Sequence, residues 1–213
     1  FQTVMIDITE RKQAEEAVRE SERRAVRQRA AIAQLALDKH MAGDDLAGTL
    51  DRITQVLSAT LGVARASVWR FAGDRSEAQC LALYDAGKKK HSRGAIVDTS
   101  SCPRYFEAIT TDSRINAEDA RTDPHTNELT DSYLIPLGIA SVLDAGILME
   151  GQLVGVVSLE HIGARRKWQP DEEAFAGTAA SMFAQLFESI DRRRAEETLR
   201  KSEEKFRTLY ENA

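Results

Sequence analysis

The stretch Leu153-Val154-Gly155-Val156-Val157-Ser158-Leu159 decides the fold. It is apolar at odd and even positions alike, whereas a strand with one face in water alternates between apolar and polar residues. A strand of this kind is covered on both faces and lies in the middle of a sheet. Just before it, Glu150-Gly151 is a tight hairpin signal, so residues 141–149 and 153–161 read as neighbouring antiparallel strands. Further upstream, residues 66–71 and 79–84 read as strands, with 95–97 as a shorter one. Downstream, Pro170 and the acidic Asp171-Glu172-Glu173 open a helix, where negative charge complements the helix dipole. Phe175, Ala179, Met182, Phe183, Leu186 and Ile190 give that helix an apolar face.

The remaining segments fill in around this hairpin. Leu46, Leu50, Ile53, Val56 and Leu57 repeat with helical period up to a Gly62 stop. Residues 86–94 read as a solvated hairpin loop carrying Lys88, Lys89, Lys90, His91 and Arg93. Two short helices have start signals at Cys102-Pro103 and Asp123-Pro124, since proline suits a first helical position. The layout is α+β: a mainly antiparallel central sheet of five or six strands. The terminal helices cover one face, and the short helices and loops of residues 102–137 cover a pocket on the other.

Of the 213 residues, 63 are charged, and 27 of these fall in residues 1–30 and 188–213. Each end is nearly balanced in sign, so the net charge of −5 belongs to the middle, which does not fit nucleic-acid binding. From about Ile8 to Leu37 the chain has no Gly or Pro and reads as one long helix. Val18, Ala25 and Ile32 recur every seven residues with Ala14 and Leu35 beside them, and Ala195, Leu199, Ser202, Phe206 and Leu209 alternate spacings of four and three. Stripes this narrow suit a two-helix seam, solvated helices being the other reading. Val18, Ala25, Ile32, Leu35, Phe183, Ile190, Leu199 and Phe206 are the residues expected to form a homodimer, its helices parallel or antiparallel. Residues 11–22 and 192–203 also match at seven of twelve positions, so one connector is used twice, as in a tandem array.

Cys80 and Cys102 are too few for a disulfide framework or a four-thiolate metal site, which points to a reducing compartment. No apolar run approaches the roughly 20 residues of a membrane span, so no membrane contact is expected within this stretch. The chain starts at Phe1 without an initiator Met and reads as part of a longer cytoplasmic protein, with room for membrane helices upstream. His40, His91, His125 and His161 fit no metal-ligand spacing, and no phosphate-binding Gly-rich loop occurs.

Residues 134–147, 151–161, Arg166-Lys167-Trp168 and Asp171-Glu172-Glu173-Ala174-Phe175 resemble a GAF domain, as does Arg65-Ala66-Ser67-Val68-Trp69-Arg70-Phe71 as its first strand. Asp7-Ile8-Thr9-Glu10-Arg11-Lys12 resembles the tail of a PAS domain, and residues 202–213 resemble the opening of another. The resemblance implies three parts: the end of a PAS-like module with a connector at 1–37, a GAF domain at 38–190, and a connector with the next PAS-like start at 191–213. It implies a sensory module of a bacterial two-component histidine kinase that binds a small ligand and signals through dimeric helices. The alternatives are a dimerising spacer with an empty pocket, or an input module of a diguanylate cyclase or phosphodiesterase.

Within that family the specialised motifs are missing. The Asn-Lys-x-Phe-Asp-Glu signature of cyclic-nucleotide binders is absent, Cys102 is followed by Pro103 rather than the His of bilin-attaching members, and haem finds no supporting motif. The cofactor is unknown. A kinase phospho-acceptor would precede an acidic residue and Thr-Pro, but His40 precedes Met41-Ala42-Gly43, and no catalytic constellation is visible. The resemblance implies a pocket for an unidentified small molecule, with Trp69, Tyr84, Cys102, Tyr105, Phe106, Tyr133, Asp144, Glu160 and His161 as candidate lining. Asp144 and Glu160 follow apolar residues on central strands, where an unpaired carboxylate is costly. Backbone, a buried His such as His161, or a polar ligand would each satisfy them. Helix starts at Cys102 and Asp123 would turn free N–H groups towards the pocket, which favours an anionic or carbonyl-bearing ligand, and would lower the Cys102 thiol pKa.

Overall fold

The computed structural model describes residues 2–37 and 45–211, with side chains for 10–37, 45–204 and 207. His40 and the Phe206 side chain lie outside what is described. Two helices come first, α1 (Gln2–Ala36) and α2 (Leu46–Leu61), then strands β1 (Arg65–Phe71), β2 (Glu77–Asp85), β3 (Lys90–Ser92) and β4 (Ile96–Asp98). Helix α3 (Pro103–Asp112), β5 (Arg114–Ala117), a single turn α4 (Ile135–Leu137), β6 (Ile139–Met149), β7 (Gln152–Ile162) and α5 (Pro170–Glu211) follow.

The strands form one antiparallel sheet in the order β3-β2-β1-β7-β6-β5, with β4 also paired to β2. β7 is central, as its two-sided apolar pattern predicts, and Glu150 and Gly151 turn the β6–β7 hairpin with positive φ. The sheet has seven strands rather than five or six. The two additional ones are β3, inside the stretch expected to be a loop, and β5, inside the segment expected to be helices and loops. Both are short edge strands, too brief to carry an alternating pattern.

Helices α2 and α5 pack on one face of the sheet, and α1 packs against both of them. Asp45 caps α2 by accepting from the Gly48 N–H at 2.9 Å, and Gly62 ends it in the left-handed conformation at φ 61°. Leu50, Ile53 and Leu57 of α2 meet Phe183 and Phe187 of α5 and Val68, Leu143, Val157 and Leu159 of the sheet. Helix α1 joins this core through Ala31 and Leu35, and Arg24 and Gln28 both bond Asp171 in the first turn of α5.

This packing reassigns part of the expected dimer seam. Leu35 is 1% exposed and Phe183 0%, both inside the protein's own core, and Ile32 and Ile190 pack against it partly buried. Ala25 is half-buried, whereas Val18 and Leu199 stay 58% and 61% exposed.

The helix expected from Pro124 starts later. Asp123 accepts from the His125 N–H at 2.8 Å in a side-chain-closed turn, and helical geometry begins as a 3-10 turn at Asn127–Leu129. A π turn at Thr130–Leu134 leads from it into α4.

Gly155 pairs with Arg70 across β1 and β7. A Cβ there would overlap the Trp69 carbonyl oxygen, a backbone atom that cannot step aside without parting the strands. Gly155→Ala is expected to lower the unfolding free energy by about 3 kcal/mol, as overpacking in a core does. Urea denaturation measures this, and a variant as stable as the parent would contradict the close approach of β1 and β7.

Candidate functional site

Side-chain alternation gives the sheet two different faces. Along β7, Val157 and Leu159 point to the helices, so Val156, Ser158 and Glu160 point the other way. Val142 and Asp144 on β6 and Trp69 and Phe71 on β1 share that second face. Helix α3 and the turns of residues 127–134 lie over it and enclose a cavity of about 360 Å³. Phe106 meets Phe71 and Tyr105 edge to face, with ring centroids 5.6 and 5.1 Å apart, which makes one wall aromatic.

Seven of the nine expected lining residues meet here: Trp69, Cys102, Tyr105, Phe106, Tyr133, Asp144 and Glu160. Tyr84 and His161 do not. Tyr84 stands opposite Ala66 on the helix-covered face and stacks on His91 at 4.8 Å. His161 follows Glu160 and so points to the helix side with Leu159, where burial, with Arg166 nearby, lowers its pKa. It is therefore not the partner of either carboxylate.

The two carboxylates are held differently. Glu160 accepts from Arg65 Nε at 2.6 Å and from the Tyr133 hydroxyl at 2.6 Å, while Arg65 also reaches Tyr133 at 3.2 Å. Arg65 is paired with Glu160 across β1 and β7 in the backbone register. It was missed as a site residue, although its place at the start of β1 was legible. Asp144 Oδ2 accepts from the Tyr105 hydroxyl at 2.6 Å. Its Oδ1 is buried and makes no bond of hydrogen-bonding geometry, the Ser158 hydroxyl standing across from it on β7. Burial pushes the Asp144 carboxyl up to about 7, with the Ser158 and Tyr105 hydroxyls pulling the other way.

The expected anion-binding helix starts are otherwise engaged. Glu128 accepts from the Arg104 N–H at 2.9 Å and the Tyr105 N–H at 3.3 Å, so the start of α3 is capped from within. Burial raises the Cys102 thiol pKa rather than lowering it, which removes the case for a reactive thiolate. Among the described residues no group of three or more His, Cys, Asp or Glu is placed to hold a metal ion.

The Asp144 carboxyl has a pH signature. Its folded pKa of about 7 stands above its ordinary 3.8, so the folded state binds the proton more tightly, and stability falls as pH rises between those values. Asp144→Asn lacks this contribution. The wild type is expected to lose about 2–3 kcal/mol relative to the variant between about pH 5 and pH 8. Urea unfolding of both proteins at the two pH values tests this, and parallel pH profiles would refute it.

A family model described as GAF domain matches residues 45–187. Among solved structures, the chain is similar to the GAF domain of a phosphoenolpyruvate-protein phosphotransferase from Coxiella burnetii, at 18% identity and TM-score 0.60, covering 82% of this chain and 98% of that one. It is similar to the phycocyanobilin-bound GAF domain from a cyanobacterial phytochrome, at 19% identity and TM-score 0.60, covering 75% and 94%. It also resembles residues 122 to 287 of a methyl-accepting chemotaxis protein, at 17% identity and TM-score 0.60, covering 72% and 95%. At such identities the likeness is one of fold. No curated protein matches the chain. With the sheet covered by helices on one face and roofed over a cavity on the other, and the family model spanning most of the chain, the protein belongs to the GAF domain family.

Proposed function

We propose that the chain is a sensory module that takes a small molecule into the cavity and passes its occupancy to the terminal helices of a homodimer. The observation that carries this reading is Asp144 Oδ1, a buried acceptor that makes no bond of hydrogen-bonding geometry on the wall of a mostly apolar cavity. Leaving such a group unpaired costs about 1–3 kcal/mol, which a bound donor would recover. The similarity to a chemotaxis protein and a phytochrome, both named as such, fits a signalling role.

The parent protein in this reading is a cytoplasmic two-component histidine kinase with PAS-like modules on either side, which the connector repeated at 11–22 and 192–203 supports. Cys80 and Cys102 are free, and no helix among the described residues is long and apolar enough to cross a membrane. The dimer seam runs along Val18 and Leu199, the expected seam residues that remain well exposed.

Native mass spectrometry of the purified protein, before and after denaturation, tests the sensory reading. A retained small mass that is lost on unfolding is expected, and a cavity that never yields one, from any expression host, argues for an empty spacer.

The double variant Val18→Glu, Leu199→Glu is expected to sediment as a monomer where the wild type sediments as a dimer. Its GAF core is expected to change in stability by less than about 0.5 kcal/mol, as for exposed positions. Analytical ultracentrifugation decides the matter, and a wild-type monomer at high concentration would end the dimer proposal.

A further inference from the structure

We propose that the cavity selects a cationic ligand, a small molecule with an aromatic or aliphatic body and a protonated amine or amidine that donates to Asp144 Oδ1. This rests on the sensory reading above and names the chemistry of its ligand.

Three observations point the same way. The first is the sign of the charge: Asp98, Asp144 and Glu160 line the cavity, and among the described residues no Arg, Lys or His does. The second is how those carboxylates are occupied. Glu160 is neutralised by Arg65, and Asp98 accepts from the Ser100 N–H at 2.8 Å, so both are already engaged. Asp144 has no cationic partner, and its second oxygen makes no bond of hydrogen-bonding geometry, with only the neutral Ser158 hydroxyl and Leu159 N–H nearby. The groups that face it are Tyr105 on α3 and Ser158, the Leu159 N–H and Glu160 on β7, none of them a cation. A buried carboxylate in such surroundings gains most from a ligand that brings both a positive charge and an N–H.

The third observation is the wall itself. Trp69, Phe71, Tyr105, Phe106 and Tyr133 all border the cavity, and the negative faces of aromatic rings attract a cation that has left water. The Trp69 N–H is committed to Ser67 Oγ at 2.9 Å, so its indole has no free donor with which to hold an anion. The backbone donors at the start of α3, which would favour an anion, are consumed by Glu128. Ile96, 59% exposed, and the exposed Ser132 are both lining residues, so the cavity wall includes residues that meet solvent. At about 360 Å³ the cavity is near the small end of ligand pockets, which suits a compact amine rather than an extended chromophore.

Benzamidine, benzamide and benzoate share one shape and differ in charge, and titration calorimetry of each against the full chain tests the inference. Benzamidine is expected to bind at least about tenfold more tightly than benzamide, with benzoate weakest, as expected for a charge-assisted hydrogen bond. In Asp144→Asn the benzamidine preference is expected to vanish while benzamide binding persists, which also shows that the variant is folded. Equal binding of benzamidine and benzamide by the wild type, or a preference that survives in Asp144→Asn, overturns the inference and leaves the small-molecule reading standing. Failure of all three compounds to bind overturns the inference too. The retained mass in native spectrometry then decides the sensory reading separately.

Discussion

The two-sided burial of β7 is the constraint on which the rest of the molecule depends. Because neighbouring side chains on a strand face opposite ways, Leu159 and Glu160 are one residue apart yet belong to different compartments. Leu159 is fully buried under the helices, and Glu160 is buried beneath the cavity and tied to Arg65 and Tyr133. A slip of one residue against β1 would put the carboxylate into the apolar core and the leucine among polar groups, with a cost on both faces at once. The absence of a side chain at Gly155 lets β1 approach closely enough to hold that register. The fold and the site are thus fixed by the same strand pairing.

Two buried carboxylates on adjacent strands meet the cost of burial in opposite ways. Glu160 is compensated inside the protein, and removing Arg65 would leave it as an unpaired buried charge. Asp144 is compensated only in part, by the neutral Ser158 and Tyr105 hydroxyls, and its raised pKa is the physical trace of that shortfall. A group held away from its best ionisation state by its surroundings often marks a functional site.

How far this could be read from residues alone follows from how many of them each feature involves. The central hairpin, the long helices and the α+β layering rest on periodic patterns spanning ten or more positions, and these were legible. β3 and β5, at three and four residues, carry no period to detect. Asp144 and Glu160 stood out because charge inside an apolar strand is rare, but assigning His161 to the same pocket ignored the alternation that separates it from Glu160. The partners of the carboxylates were also hidden. Tyr105 and Tyr133 reach them from a segment 27 to 39 residues away in the chain, a distance that spacing cannot bridge. Leu35 and Phe183 show a related ambiguity: a heptad stripe states that a helix buries one face, not whether the cover is a partner or the protein's own sheet.

The route from cavity to helix is short. Asp144 faces the cavity, while its neighbours Leu143 and Ala145 on the same strand belong to the core that α5 covers. Across β6, Asp144 pairs with Ile115 of β5, and the adjacent Arg114 bonds Glu173 in the first turn of α5 at 2.9 Å. The other two acids of that turn are anchored elsewhere, Asp171 to Arg24 and Gln28 of α1, and Glu172 to Arg166, which also holds the Leu61 carbonyl at the end of α2. Three consecutive residues therefore fasten α5 to β5, α1 and the end of α2. A close-packed core between sheet and helix resists gradual deformation, and these anchors hold the first turn of α5 rigidly against it. The acidic trio does more than complement the helix dipole: through Glu173 and Arg114 it ties the first turn of α5 to β5, the strand paired with the one that carries Asp144.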